Sequence, residues 1–241
     1  MQTLRSFVHI VQMYLAMPVL GLFFFPYAIF SSRGAHLACH TYSRWVFWTL
    51  DWMVGLKIEV RGTPPTDEVM IAAKHQSFLD VMAIYHAVPR GKFIMKRELM
   101  FAPVIGQYGL RIGCVPVNRG KRGAAIKKML EDVRSGRQQG GQLIIYPQGT
   151  RIAPGVSAPY KAGTGALYAQ MDQPCVPVAT NIGVFWPKKG ITRKRGTAVV
   201  EFLPRIEPGM EPKPFMERLE HEIESASNAL LDEAGFVRDA P

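Results

Sequence analysis

Cysteine is scarce and scattered. The chain has 241 residues and three cysteines, Cys39, Cys114 and Cys175, with no C-x-x-C pair and an odd total. That argues against a disulfide framework and against a zinc site; three reduced thiols in a cytoplasmic domain are expected, and no bound metal. Gly-x-Ser-x-Gly is absent too, which weighs against the nucleophile elbow of serine hydrolases. No internal repeat and no low-complexity tract is visible. Charge is missing from one long stretch: residues 13–30, 18 in a row, carry none. That length reaches the threshold for a membrane-crossing helix. It is too long for a secretory signal, and no small-residue cleavage site follows it cleanly. Pro18, Gly21 and Pro26 are predicted to kink or break it. A second apolar stretch, 45–56, contains Asp51 and is too short to span. The alternatives are a single span and a broken helical hairpin that dips into one leaflet, the second preferred. A buried helix of a soluble core rarely carries Phe23, Phe24 and Phe25 in succession beside Pro26.

What is present is basic and apolar. Formal net charge is +10, the isoelectric point is about 9.7, and 48% of residues are hydrophobic. Such a balance suggests an anionic partner: nucleic acid, lipid headgroups or an acidic protein. Lys188, Lys189, Arg193, Lys194 and Arg195 cluster just after Phe185 and Trp186. Basic residues beside aromatics suit an anionic membrane interface. Nucleic acid is the rival reading of the patch, but no nucleic-acid module accompanies it.

After residue 56 short apolar runs alternate with helical periodicity. Strands are predicted at 57–60, 69–73, 92–95, 114–117, 143–146, 176–180 and 198–203. The first two are linked through Pro64-Pro65. A short helix or turn is predicted at 103–110, and helices at 77–87, 122–137, 163–171 and 214–231. In the last, Phe215, Leu219, Ile223, Ala226 and Leu230 form the inward stripe. The fold class that follows is α/β: a mixed, mostly parallel sheet flanked by helices, with an N-terminal membrane-embedded helical segment. The expected division is 1–56 for that segment and 57–241 for the α/β domain.

Three short stretches carry chemistry. In Lys74-His75-Gln76-Ser77-Phe78-Leu79-Asp80 a strand ends, His75 follows, and a helix opens with Asp80 in its first turn. Asp80 can then hold one imidazole nitrogen and leave the other free as a base. Ser77 with Asp80 also reads as a capping pair. In Gly113-Cys114-Val115-Pro116-Val117-Asn118-Arg119 a strand delivers Arg119, a residue suited to bidentate contact with phosphate. In Tyr146-Pro147-Gln148-Gly149-Thr150-Arg151 a tight turn follows an apolar strand and offers a hydroxyl and a guanidinium. Strand ends of α/β sheets are where ligands usually sit.

Singly these are ordinary loop residues; in order they resemble the glycerophospholipid acyltransferase family, most closely its 1-acylglycerol-3-phosphate acyltransferases. His75 and Asp80 match the family's His-x4-Asp block. Gly113 and Arg119 match its Gly-x5-Arg block, and Lys96 with Glu98-Leu99 resembles the lysine before it. Residues 147–151 match Pro-Glu-Gly-Thr-Arg except for Gln148, which keeps shape and hydrogen bonding but removes a negative charge. Val176-Pro177-Val178 matches the last block. The resemblance covers roughly residues 69–202. It implies His75 as general base on the acceptor hydroxyl, oriented by Asp80. It also implies a substrate-binding set of Lys96, Arg119, Gln148, Gly149, Thr150 and Arg151 around the acceptor's phosphate. Transfer would be direct, from an acyl carrier protein or coenzyme A thioester to the sn-2 hydroxyl of lysophosphatidic acid, giving phosphatidic acid for phospholipid biosynthesis. No cofactor beyond that co-substrate is implied, and no acyl-enzyme. The expected location is the inner (cytoplasmic) membrane, with the catalytic domain on the cytoplasmic side. Rival readings are acylation of glycerol-3-phosphate or another lysophospholipid, hydrolysis by His75 with water, and a non-catalytic protein that binds anionic membranes.

Overall fold

Strand residues of this chain alternate between two separate cores, and that alternation sets the layering. The computed structural model describes residues 1–117, 123–124, 127, 131 and 140–237, the side chain of Lys96 excepted. Seven strands form one sheet: β1 (Leu56–Gly62), β2 (Met70–Ala73), β3 (Gly91–Lys96), β4 (Val115–Val117), β5 (Gln142–Ile145), β6 (Cys175–Thr180) and β7 (Gly196–Phe202). Their order is β1-β7-β6-β2-β5-β3-β4. Every neighbouring pair is parallel except β6 and β7. The Pro64-Pro65 link therefore does not join neighbours: β6 and β7 lie between β1 and β2.

On one face Ile71, Ala73, Ile144, Val176 and Val178 meet Leu79, Ala83 and Ile84 of α3 (Leu79–Ala87). On the other, Met70, Ala72, Leu143, Ile145 and Cys175 meet α5 (Gly163–Met171) and α7 (Pro212–Glu233) through Leu167, Tyr168, Phe215, Leu219 and Ile223. Period-2 strands buried on both sides require helices on both faces. Of the stripe predicted on the closing helix, Phe215, Leu219 and Ile223 are buried there, whereas Leu230 is buried against Ala179 and Val199 with Ala226 partly buried beside it; α5 has the predicted bounds. Two shorter helices are α4 (Ile105–Arg111) and α6 (Ile182–Phe185). The helix predicted over 122–137 lies mostly outside the described residues.

The N-terminus is an antiparallel hairpin of α1 (Gln2–Phe30) and α2 (Ser32–Thr49). Ser31 makes the bend, and its hydroxyl accepts from the Arg33 N–H. His9 contacts the Val46 carbonyl, Gln12 bonds Thr49 and Trp45, and Tyr42 donates to the Met13 carbonyl. Contrary to the predicted break, α1 runs unbroken through Pro18 and Pro26. Each proline already holds a helical φ and forfeits one N–H. The Tyr108 hydroxyl of α4 also pins the helix between them, donating to the Gly21 carbonyl at 2.6 Å. The stretch 45–56 is no separate element. It finishes α2, makes a π-helical turn (Leu50–Val54) and enters β1. Val46, Leu50 and Val54 pack into the same core as α3, so the hairpin is docked on the sheet.

α1 is long and apolar enough to cross a membrane, with mean hydropathy 1.8 over its most apolar 18 residues. Only Ser6, His9, Met13, Gly21 and Ala28 of its residues are buried. Leu15, Val19, Leu22, Phe23 and Phe30 face outward, as do Trp48 and Trp52 near the end of the hairpin. That surface is far more apolar than water-facing helices usually present.

Candidate active site

β2, β5, β3 and β4 run parallel, so their C-terminal ends share one edge of the sheet. There β2 delivers His75 and β5 delivers Tyr146 to Arg151. Lys96 is the last residue of β3. β4 ends at Val117, and Arg119 lies outside the described residues.

His75 and Asp80 are in contact. Nδ1 of His75 is 2.9 Å from Asp80 Oδ1. Asp80 is fully buried, and its other oxygen accepts from the backbone N–H groups of Gln76 (2.8 Å) and Ser77 (2.7 Å). An ionised carboxylate only accepts, so Nδ1 carries the proton and Nε2 is left basic. His75 keeps 16% side-chain exposure, enough to meet a substrate. The capping pair forms in altered register: the Ser77 hydroxyl accepts from the Leu79 N–H, and α3 begins at Leu79 rather than Ser77.

The second arm is the turn after β5. The Gly149 N–H closes it on the Tyr146 carbonyl at 2.9 Å. Gly149 sits at φ +69°, and a Cβ there would lie 2.6 Å from Lys161 Nζ. The left-handed φ is what favours glycine here; the flexible end of Lys161 can give way to a side chain. Gly149 and Thr150 are exposed, Arg151 partly so. Among the described residues Arg151 has no carboxylate partner, and its carbonyl accepts from Lys188 at 3.1 Å. Gln148 points elsewhere. It is 4% exposed, and its amide donates to the Ala158 carbonyl at 3.2 Å. The side chain clamps the loop 152–161 rather than opening onto solvent with Thr150 and Arg151. The same loop is held by Ile152 N–H on the His75 carbonyl and Lys161 N–H on the Pro147 carbonyl.

Several site residues were invisible to spacing. Lys74, next to His75, is 3% exposed and donates to both oxygens of Glu224 on α7, at 2.6 and 2.7 Å. Tyr160 donates to the same carboxylate at 2.9 Å. Burial and the neighbouring Glu224 charge push the Tyr160 phenol far above its ordinary value. Glu224 is thus tied at once to the base strand and to the loop. Lys161 is a further cation beside Gly149; a lone lysine in a loop gave no signal. Gln76, buried after His75, accepts from the Gly183 N–H at 3.0 Å.

The basic cluster after Trp186 divides. Lys188, Lys189, Lys194 and Arg195 are exposed, but Arg193 is buried, its guanidinium 4.3 Å above the Trp186 ring. Its backbone is gripped by α1: Ser6 accepts its N–H, and Gln2 donates to its carbonyl. Arg193 therefore anchors the hairpin and drops out of the membrane-facing set; burial lowers its guanidinium to about 10. Among the described residues no group of three or more His, Cys, Asp or Glu has a metal-holding arrangement.

Comparison with known proteins agrees with this geometry. The acyltransferase family model matches residues 57–181. The 1-acyl-sn-glycerol-3-phosphate acyltransferase of Pseudomonas aeruginosa is 27% identical over 189 residues, 78% of this chain and 73% of the relative. The alpha form of the enzyme of that name from Bos taurus is 29% identical over 186 residues, 75% of this chain and 65% of the relative. That from Limnanthes alba is 31% identical over 159 residues, 64% and 56%. The crystal structure of the 1-acyl-sn-glycerophosphate acyltransferase of Thermotoga maritima superposes with a TM-score of 0.79 at 21% identity, covering 95% of this chain and 98% of that one. The fold is shared over 95% of the chain, and the family model spans more than half of it, with every sequence block named above; the chain belongs to the acyltransferase family.

Proposed function

We propose that this chain transfers a fatty acyl group from a thioester to the sn-2 hydroxyl of 1-acyl-sn-glycerol-3-phosphate, making phosphatidic acid. The observation that carries the reading is the His75–Asp80 pair, with a partly exposed imidazole held by a fully buried carboxylate. Nε2 takes the proton of the acceptor hydroxyl as its oxygen attacks the thioester carbonyl. The tetrahedral intermediate then expels the thiolate, which receives that proton from the imidazolium. No acyl-enzyme is formed, and the protein supplies no cofactor. Lys96, Arg119, Thr150 and Arg151 receive the acceptor's phosphate. Arg151, at the end of the turn with no carboxylate partner among the described residues, is the best placed of those described. The donor is carried by acyl carrier protein or coenzyme A. The outward face of the hairpin inserts into the cytoplasmic leaflet of the inner membrane, where Lys188, Lys189, Lys194 and Arg195 meet anionic headgroups.

The test uses full-length protein in detergent, a labelled acyl thioester, and a panel of acceptors that includes lysophosphatidic acid, glycerol-3-phosphate and phosphate-free lysolipids. Lysophosphatidic acid should be acylated fastest. His75→Ala should lower turnover about 10²–10⁴-fold with membrane binding unchanged. Near-normal turnover in that variant would remove the base and leave a membrane-binding protein as the better account.

A further inference from the structure

The imidazole of His75 has a second neighbour besides Asp80. The ring of Tyr146 lies against it with centroids 4.0 Å apart and planes inclined by 22°. This is a face-to-face stack, not an edge contact. The Tyr146 hydroxyl is buried with no hydrogen-bond partner among the described residues, so it is not offered to a substrate. Burial and the nearby charge of Asp80 hold the phenol well above its ordinary value. The ring is therefore a neutral π surface throughout the working pH range. Its neighbours fix it in place: Pro147 follows at once, and the Gly149 N–H closes the turn on Tyr146's own carbonyl.

We propose that Tyr146 is a positioning residue for transfer, whose ring face stabilises the imidazolium that His75 becomes as it takes the acceptor's proton. The inference rests on His75 acting as the base. A base awaiting its proton carries no charge, so before transfer the stack of His75 on Tyr146 is worth little beyond contact area. In the transition state a positive charge develops on the ring. That charge then lies between the Asp80 carboxylate at Nδ1 and the electron-rich face of Tyr146. An interaction stronger in the transition state than in the ground state raises kcat and leaves KM alone. A cation held over an aromatic face in a partly desolvated site corresponds to a factor of about 3–30 in rate. The stack also restricts the plane of the imidazole.

The test replaces residue 146 in the full-length protein with Phe and with its mono-, tri- and pentafluorinated analogues. All keep nearly the same size while the ring face loses electron density. Tyr146→Phe is the reference of the series: it keeps the ring face and should lose less kcat than any fluorinated analogue, and among the described residues the hydroxyl it removes has no partner. Along the fluorinated series kcat should fall stepwise to about 3–30-fold below Phe, with both KM values constant. Tyr146→Leu should fall in the same range. A flat kcat across the fluorinated series would overturn the proposal. So would a large loss in Tyr146→Phe, which would move the role to the hydroxyl. His75→Ala, run alongside, separates the two ideas. Inactive His75→Ala with a flat series removes Tyr146's role alone, whereas active His75→Ala removes the base and this inference with it.

Discussion

The buried pair behind His75 gives an asymmetric stability prediction. Lys74 is 3% exposed and Glu224 28%, and the ammonium contacts both carboxylate oxygens. Glu224→Ala leaves the ammonium buried without its counter-charge, and the Tyr160 hydroxyl without its acceptor. Breaking a buried pair from one side costs about 3–5 kcal/mol. Glu224's partial exposure lets water reach the vacated site, so the lower end applies, about 3 kcal/mol. For a chain of this size that lowers Tm by about 6–12 °C. Lys74→Met removes the charge that needed a partner and keeps the aliphatic stem in the core. Glu224, still bonded by Tyr160 and open to water, tolerates the loss. The cost should stay within about 1 kcal/mol, since exchanging a buried charge for apolar volume is often neutral. Thermal unfolding of both variants in detergent, followed by tryptophan fluorescence, measures the difference. Equal losses in the two variants would refute the reasoning, as would Glu224→Ala melting with the parent. Glu224→Ala should also lower kcat more than it raises either KM, because Lys74 adjoins the base and Tyr160 belongs to the loop over the turn.

The remaining predictions concern the loop clamp and the hairpin. Gln148→Glu, conservative in shape, replaces a buried N–H donor to the Ala158 carbonyl with an oxygen. It should cost about 1–3 kcal/mol and make 152–161 more open to limited proteolysis, and unchanged cleavage would show that the clamp is not needed. Leu22→Glu with Phe23→Glu alters outward residues of α1 that are 72% and 75% exposed. It should release protein from lipid vesicles in flotation without lowering Tm; continued binding at high salt would move the anchor elsewhere.

The fold was legible because its signals are local and repeated. Short apolar runs at 69–73, 143–146 and 176–180, separated by helical periodicity, leave few alternatives to a sheet covered on both faces. The stripe Phe215, Leu219, Ile223 named the buried side of α7. The antiparallel step between β6 and β7 was not legible, because side chains on a two-sided strand alternate the same way in either direction. Nor was the continuity of α1. A proline forbids one hydrogen bond, and whether the helix survives depends on contacts such as Tyr108 with Gly21, 87 positions away in sequence.

Within the site, the boundary between legible and hidden falls at sequence distance. His75 and Asp80 are five positions apart, so a strand end followed by a first helical turn is enough to bring them together. Glycine at 149 declares its turn. What spacing cannot carry is the set of groups that hold these residues from afar. Lys74 and Glu224 are 150 positions apart, and Tyr160 and Glu224 are 64 apart. Both contacts exist only because α7 returns across the sheet beneath the loop. Gln148 shows the same limit on a smaller scale. Its place inside the third block suggested a substrate contact, yet the turn at Gly149 points Thr150 and Arg151 outward and leaves Gln148 facing inward to the Ala158 carbonyl. A motif lists residues in order, and a tight turn sends successive ones to opposite sides. Residues within one block can therefore divide the labour between holding the loop and meeting the ligand.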